Sequence, residues 1–134
     1  MPSPELQAAL DAACWDAGRA GYVTKSEVAG ETLLVIREDY DGAEPSPNHL
    51  AAVNLLKLAT LCDVDDYARR AEALLRAGSV TLERQPFAAP VLVAALDLHE
   101  RGLAKFQVPR NCGTGLPAQL RTLYQPRAVF APDD

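Results

Sequence analysis

The feature that most constrains this chain is a run, residues 48–62, that is apolar on almost every side of a predicted helix. Asn54 and Lys57 interrupt it, but its large apolar residues do not fall on one stripe: Leu50, Val53, Leu56, Leu58 and Leu61. Ser46 and Pro47 just before it are a good N-cap and a good first helical residue. A helix of this kind must be covered on most sides by other elements.

The residues before this run predict one helix and two short strands. The helix covers residues 3–17, with Ser3 as N-cap, Pro4 in the first turn and an apolar stripe of Leu6, Leu10, Ala13 and Ala17. Residues 21–27 and 31–39 are rich in β-branched and aromatic residues and lack helix signals, which indicates extended structure.

An amphipathic helix is predicted over residues 64–83, with Asp63 as its cap and a bend near Gly78 and Ser79. Its apolar face is formed by Tyr67, Ala71, Leu74 and Leu75. Its solvent face carries acid-to-base pairs at i, i+4, namely Asp65 with Arg69, Asp66 with Arg70 and Glu72 with Arg76. The pattern places this helix on the exterior of the fold.

A fourth helix is predicted over residues 86–102, again apolar almost all round as far as Asp97. These three helices are then buried, amphipathic and buried in chain order. Two concentric or stacked layers of helices require such an order, whereas a simple up-down bundle does not. We therefore expect residues 48–62 and 87–98 to be the most buried helices, with residues 65–76 outside them.

The last third changes character and predicts a small βαβ unit. Residues 103–109 and 126–132 are strand-like, and residues 113–124 between them contain a short amphipathic helix. Parallel strands with a right-handed crossover are the expected arrangement. The chain is thus divided into a helical region, residues 1–103, and an α/β appendix, residues 104–134.

Charge and cysteine content exclude several classes of function. The formal net charge of -5 argues against nucleic-acid binding, and no apolar run reaches the length of a membrane span, so we expect a soluble, cytoplasmic protein. Cys14, Cys62 and Cys112 have no Cys-x-x-Cys spacing, and His49 and His99 stand alone, so no metal or cofactor is expected. Cys14 and Cys62 are expected to be buried thiols, and Cys112 the most exposed.

A polar cluster stands just before the apolar run, where Tyr40, Asp41, Glu44, Asn48 and His49 gather. The carboxylates could bind sugar hydroxyls or act in acid–base chemistry, with Asn48 hydrogen-bonding and Tyr40 stacking on a ligand. They could equally be helix-end structure, because negative charge is favourable at a helix amino terminus and Asn48 can tie the loop to the backbone. The sequence leaves both interpretations open.

The stretch "DGAEPSPNHLAAVNLLKLA", residues 41–59, resembles the carboxy-terminal part of YyaL-type thioredoxin-domain proteins, which are related to spermatogenesis-associated protein 20. "WDAGRAGYVTKSE" and "LYQPRAVFAP" are similar to the family's flanking and closing stretches. The resemblance implies the last helices of an (α/α) toroid like that of six-hairpin glycosidases and sugar epimerases, followed by the α/β appendix. The family's thioredoxin-like domain has no counterpart in this chain.

The resemblance favours a non-catalytic or catalytically incomplete fragment with a vestigial carbohydrate-type pocket, and catalysis by this chain alone is not expected. Two alternatives are a half-site of a sugar epimerase or hydrolase completed by another chain, and a helical protein-interaction module. The candidate ligand-binding residues are Tyr40, Asp41, Glu44, Asn48 and His49, and no catalytic residue is assigned. Because two helices need more cover than the chain supplies, we expect a homodimer or association with a chain carrying the missing helices.

Overall fold

A computed structural model describes residues 3–28, 31–109, 122 and 125–132, and these residues are mainly helical. The helices are α1 (Pro4–Cys14), α2 (Pro47–Cys62), α3 (Asp65–Ala77), α4 (Ser79–Arg84) and α5 (Pro90–Arg101), with a short 3-10 turn (Pro86–Ala88) before α5. The strands are β1 (Trp15–Asp16), β2 (Gly21–Tyr22), β3 (Thr24–Val28), β4 (Glu31–Ile36), β5 (Ala104–Val108) and β6 (Ala128–Pro132).

Helix α2 is the centre of the fold, as its apolar run predicts. It packs against both α3 and α5, and Leu55 and Leu58 are almost completely buried. Ser46 is its N-cap, with the side-chain oxygen accepting a hydrogen bond from the backbone N–H of His49. One side of α2 is exposed to solvent near its amino end, where Leu50 is 46% exposed.

Helix α5 is less buried than predicted. Its buried residues are Leu92, Ala95 and Leu98, on the side that packs against α2. The opposite side is open, with Val93 exposed, and Phe87 lies in the 3-10 turn and is 83% exposed. The expectation that residues 87–98 rank among the most buried is wrong, because the described elements cover only one face of this helix.

Helix α3 has the predicted apolar face but differs at its ends. Ala71, Leu74 and Leu75 are buried, whereas Arg69 is exposed. Asp63 does not cap α3, whose N-cap is Val64; it ends α2 in the left-handed conformation, with φ of 54°. Asp has a short polar side chain that tolerates this conformation.

Two of the three predicted i, i+4 ion pairs on α3 are present, Asp66 with Arg70 and Glu72 with Arg76. Arg69 pairs with Asp66 instead of Asp65. The helix predicted over residues 64–83 is interrupted at Gly78, where a bend is predicted, and Gly78 separates α3 from α4.

Helix α1 is shorter than predicted, and its stripe faces the wrong way. It ends at Cys14, because Trp15 and Asp16 pair as β1 with β2 in antiparallel register. Leu6 is 73% exposed and Leu10 is 41% exposed, whereas Gln7 is buried. The Gln7 amide donates to both the Asp11 carboxylate and the Tyr22 hydroxyl, and this polar contact sets the buried side of the helix. Ser3 makes no capping hydrogen bond.

The described strands form three two-stranded sheets. Strands β3 and β4 make an antiparallel hairpin where extended structure is predicted. Strands β5 and β6 are parallel, with Phe106 opposite Phe130 and the two rings stacked 5.6 Å apart. The parallel pairing agrees with the predicted βαβ unit, and the helix predicted over residues 113–124 lies outside the described residues apart from Thr122.

The cysteines of the described region are free thiols. Cys14 is half-buried and packs against the core. Cys62 is exposed, contrary to the prediction, because it is the last residue of α2. Cys112 lies outside the described residues. Within the part of the chain that the structure describes, every helix is too short or too polar to cross a membrane.

Candidate functional site

Asp41 lies where the amino ends of α2 and α5 meet. Its Oδ1 accepts hydrogen bonds from the backbone N–H of Ser46 at 2.8 Å and from Nδ1 of His49 at 2.9 Å. Its Oδ2 accepts from the backbone N–H of Val91 at 2.8 Å. Its own backbone N–H donates to the carbonyl of Ala88 at 3.1 Å. One side chain thus ties the loop to the starts of two helices, which would otherwise leave backbone donors unsatisfied.

The Asp41 carboxylate is buried and ionised. Its side chain is only 3% exposed, as is that of His49. Burial by itself would raise the pKa of Asp41, but the backbone donors of Ser46 and Val91, together with His49, outweigh it and hold this pKa below its ordinary value. Donation from Nδ1 to a carboxylate fixes the tautomer and ring orientation of His49.

Asn48 performs a second structural task, on the first turn of α2. Its Oδ1 accepts from the backbone N–H of Tyr22 at 2.7 Å, and its Nδ2 donates to the Tyr22 carbonyl at 3.0 Å. The same Nδ2 donates to the carbonyl of Glu38 at 3.1 Å, which also accepts from the Ser46 hydroxyl at 2.6 Å. The buried amide of Asn48 therefore pairs with both backbone groups of Tyr22, as a neighbouring strand would. It also holds the backbone of Glu38, just before the loop, in place.

Gly21 lets this contact form. A Cβ at position 21 would lie 2.9 Å from Oδ1 of Asn48 and 2.8 Å from Nη1 of Arg37. That guanidinium group donates to the carbonyls of Arg19 and Ala20 and pairs with Asp39 at 2.7 Å. Strand β2 can therefore approach both side chains only because residue 21 has no side chain of its own.

Tyr40 and Glu44 do not join the buried network. Tyr40 is 66% exposed, and its ring lies against Gly42, where an added Cβ would be 3.1 Å from Cε1 of the ring. Glu44 is also exposed, and its carbonyl accepts from the backbone N–H of Gly42 at 3.1 Å. The structure thus separates the predicted site residues into a buried group, Asp41, Asn48 and His49, and an exposed pair, Tyr40 and Glu44.

A second buried polar network joins α1, β2 and α3, and sequence reasoning missed it. The Tyr22 hydroxyl donates to Oδ1 of Asp11 at 2.5 Å, and Nη1 of Arg70 lies 2.6 Å from Oδ2 of Asp11 as an ion pair without hydrogen-bond alignment. Arg70 also lies over the ring of Trp15, 5.3 Å from its centre. Burial, followed by the Asp11 carboxylate, raises the pKa of Tyr22. The signal available in the sequence was the spacing of Gln7 and Asp11, which lie four residues apart and therefore on the same face of α1.

Comparison with known proteins relates this chain to a named family over most of its length. It is 33% identical to spermatogenesis-associated protein 20 of Rattus norvegicus over 121 residues, which are 90% of this chain and 15% of that protein. The protein of the same name from Homo sapiens is 32% identical over 130 residues, 96% of this chain and 16% of that protein. This chain belongs to the spermatogenesis-associated protein 20 family. The relationship predicted from residues 41–59 is confirmed.

A further relative in this family comparison, a Caenorhabditis elegans protein described as uncharacterized, is 30% identical over 102 residues, or 76% of this chain and 14% of that protein. No protein-family profile matches the chain. The chain spans about a sixth of the length of the spermatogenesis-associated protein 20 sequences that it matches, since 15% to 16% of each is covered.

The chemistry available at the candidate site of this family member follows from its contacts. Asp41 accepts from three donors of its own chain and its side chain is only 3% exposed, so its carboxylate is not open to a substrate in this arrangement. Among the described residues, no group of at least three His, Cys, Asp or Glu side chains is placed to hold a metal ion. Of the five predicted site residues, Tyr40 and Glu44 are the two whose side chains are exposed.

Proposed function

We propose that this chain is a non-catalytic part of a spermatogenesis-associated protein 20 architecture, and that its loop 40–44 presents a carbohydrate-type binding surface. In this proposal residues 1–103 are the last helices of an (α/α) toroid and residues 104–134 are the α/β appendix. The observation that carries it is the engagement of both Asp41 carboxylate oxygens by donors of the same chain.

The state of Asp41 argues against catalysis by this chain alone. A general acid at neutral pH needs a raised pKa and a path to the reacting atom. Asp41 has a lowered pKa and a side chain that is 3% exposed. Sugar hydrolysis commonly needs two carboxyl groups that flank the scissile bond. Glu44 is exposed, and it has no accessible carboxylate partner in the buried group, so the role left to the loop is binding.

The exposed pair has the chemistry of a weak sugar contact. An aromatic face such as that of Tyr40 can stack on the apolar side of a sugar ring, and a carboxylate such as Glu44 accepts hydrogen bonds from hydroxyls. The buried network below would hold the loop in place, which lowers the entropy lost on binding.

Calorimetric titration of maltose and cellobiose at millimolar concentration tests the binding proposal. We expect weak binding that Tyr40→Ala and Glu44→Gln each abolish without a change in melting temperature. Glu38→Gln is the matched control, because Glu38 is exposed and its side chain makes no hydrogen bond or ion pair within the described part of the chain. An absence of heat with the unmodified chain would overturn the carbohydrate surface.

Self-association is a second candidate function, favoured by one exposed apolar patch. Leu10 and Ile36 line the same small cleft and are 41% and 42% exposed. Leu6, one turn earlier on α1, and Leu34, on the same side of β4, extend the patch, at 73% and 54% exposed. We propose a homodimer through this patch, since a second copy would cover these side chains.

Sedimentation at micromolar concentration decides the oligomeric state. A dimer that Leu6→Lys and Leu34→Lys convert to a monomer would support the patch, and a monomer without these changes would refute it. The alternative, a sugar epimerase or hydrolase half-site completed by another chain, requires activity that arises only when that chain is added.

We also propose a cytoplasmic location, which the free thiols of Cys14 and Cys62 favour.

A further inference from the structure

Helices α3, α4 and α5 line an open groove of about 460 Å³ on the side of the molecule where residues 72–83 and 96–100 meet. Each helix contributes one leucine to it, Leu75 from α3, Leu82 from α4 and Leu96 from α5. Leu82 and Leu96 are only partly buried, although both pack against the core. The groove therefore has an apolar floor that stays in contact with solvent.

The groove depends on the break between α3 and α4. Gly78 sits at this break, and a Cβ there would lie 2.3 Å from Cδ2 of Leu92 on α5. The absence of a side chain lets the break pack directly against α5. The backbone N–H of Leu82 donates to the carbonyl of Gly78 at 3.0 Å, which starts α4 immediately after it. Close packing at Gly78 thus brings α3, α4 and α5 together around the groove.

The rim of the groove carries an excess of negative charge. Among the described residues that line it, the acidic ones are Glu72, Glu83 and Glu100, and the one lysine or arginine, Arg76, pairs with Glu72 at 3.3 Å. Glu83 and Glu100 are exposed and make no ion pair within the described part of the chain. A partner that carries positive charge can therefore form ion pairs with these two carboxylates when it docks here.

We propose that this groove binds an amphipathic helix of a partner protein, with apolar anchors at i, i+3 and i+4 on one side and flanking lysine or arginine residues. The apolar anchors would cover Leu82 and Leu96, next to the buried Leu75, and the basic residues would face Glu83 and Glu100. A second copy that meets the groove with the same face is a poor occupant, because like charges would then meet at the rim. The acidic rim also disfavours nucleic acid.

Fluorescence anisotropy with a labelled leucine–lysine peptide of about four helical turns tests the proposal. A peptide with every leucine replaced by alanine keeps the charge and removes the anchors. The protein variants are Glu83→Gln with Glu100→Gln, and a matched control, Glu38→Gln with Asp65→Asn, that changes the net charge equally at exposed positions away from the groove. Circular dichroism of each variant establishes that it is folded.

We expect the leucine–lysine peptide to bind and the alanine peptide to bind at least tenfold more weakly. Each lost carboxylate should weaken binding by about 1.5- to 5-fold, the range of exposed ion pairs, so the groove variant should lose about 2- to 25-fold. The control variant should keep the affinity of the unmodified chain. Equal losses in both variants, equal binding of both peptides, or a dimer that Leu96→Ala dissociates would each overturn the proposal.

Discussion

Replacement of Asp41 is the sharpest test of how this fold is held together. In Asp41→Ala, the backbone N–H groups of Ser46 and Val91 and Nδ1 of His49 all lose their acceptor. The Val91 donor lies in the first turn of α5, so the change removes a cap from that helix, and loss of the Ser46 contact frees the loop from the start of α2. Asp41→Asn is milder, since an amide oxygen can replace Oδ1 but its NH₂ group would then face the Val91 donor.

The expected magnitude follows from the number of donors left without a partner. Each unsatisfied buried donor costs about 1–3 kcal/mol, and a lost N-cap alone costs about 0.5–2 kcal/mol. Allowing for partial relaxation and water entry, we expect Asp41→Ala to lower the free energy of unfolding by about 3–5 kcal/mol. Asp41→Asn opposes one donor with another and should cost about 1–3 kcal/mol.

The pH dependence of stability provides an independent readout of the same carboxylate. The pKa of Asp41 is lower in the folded chain than its ordinary value of 3.8, so the unfolded chain binds more protons in this range. The stability that Asp41 contributes is therefore fully present above about pH 4 and is lost as the pH falls through the folded value. The difference between unmodified chain and Asp41→Asn should shrink in acid.

Urea unfolding followed by circular dichroism, at neutral pH and in steps down to acid, measures both effects. Glu44→Gln is the matched control three residues away; its side chain is exposed, and we expect a change within about 0.5 kcal/mol. An Asp41→Ala variant as stable as the control would refute the buried network. A penalty for Asp41→Asn that stays constant down to the lowest pH would refute the assignment of the lowered pKa.

Three further substitutions probe other contacts by the same unfolding assay. Asn48→Ala should cost about 2–4 kcal/mol, because two carbonyls and the N–H of Tyr22 lose buried partners, and an unchanged midpoint would contradict this. Gly78→Ala should cost about 1–3 kcal/mol, since its Cβ would overlap the fully buried Leu92, whereas a stabilised variant would show that the break tolerates a side chain. Tyr22→Phe should cost about 1–2 kcal/mol through the hydrogen bond lost by Asp11, and equal stability would mean that this bond contributes nothing.

The sequence by itself determined the central helix and the family. Ser46, Pro47 and an apolar run on almost all sides are local signals, so they predict where α2 begins and that it needs cover from several directions. The parallel pairing of β5 and β6 was also predicted, because a helical pattern between two strand patterns favours a crossover. The resemblance in residues 41–59 was enough to predict the family.

Tertiary structure decided which side chains turn inward. Asp41 and Glu44 look equivalent in sequence, but Asp41 is buried because it meets the N–H of Val91, 50 residues further along the chain. Gln7 is buried in place of Leu6 because Tyr22 brings a polar partner to α1. An apolar pattern predicts which side chains a helix can bury, whereas the elements that pack against the helix determine which side chains it buries. Donors, acceptors and covering faces that are distant in sequence become neighbours only when the chain is folded.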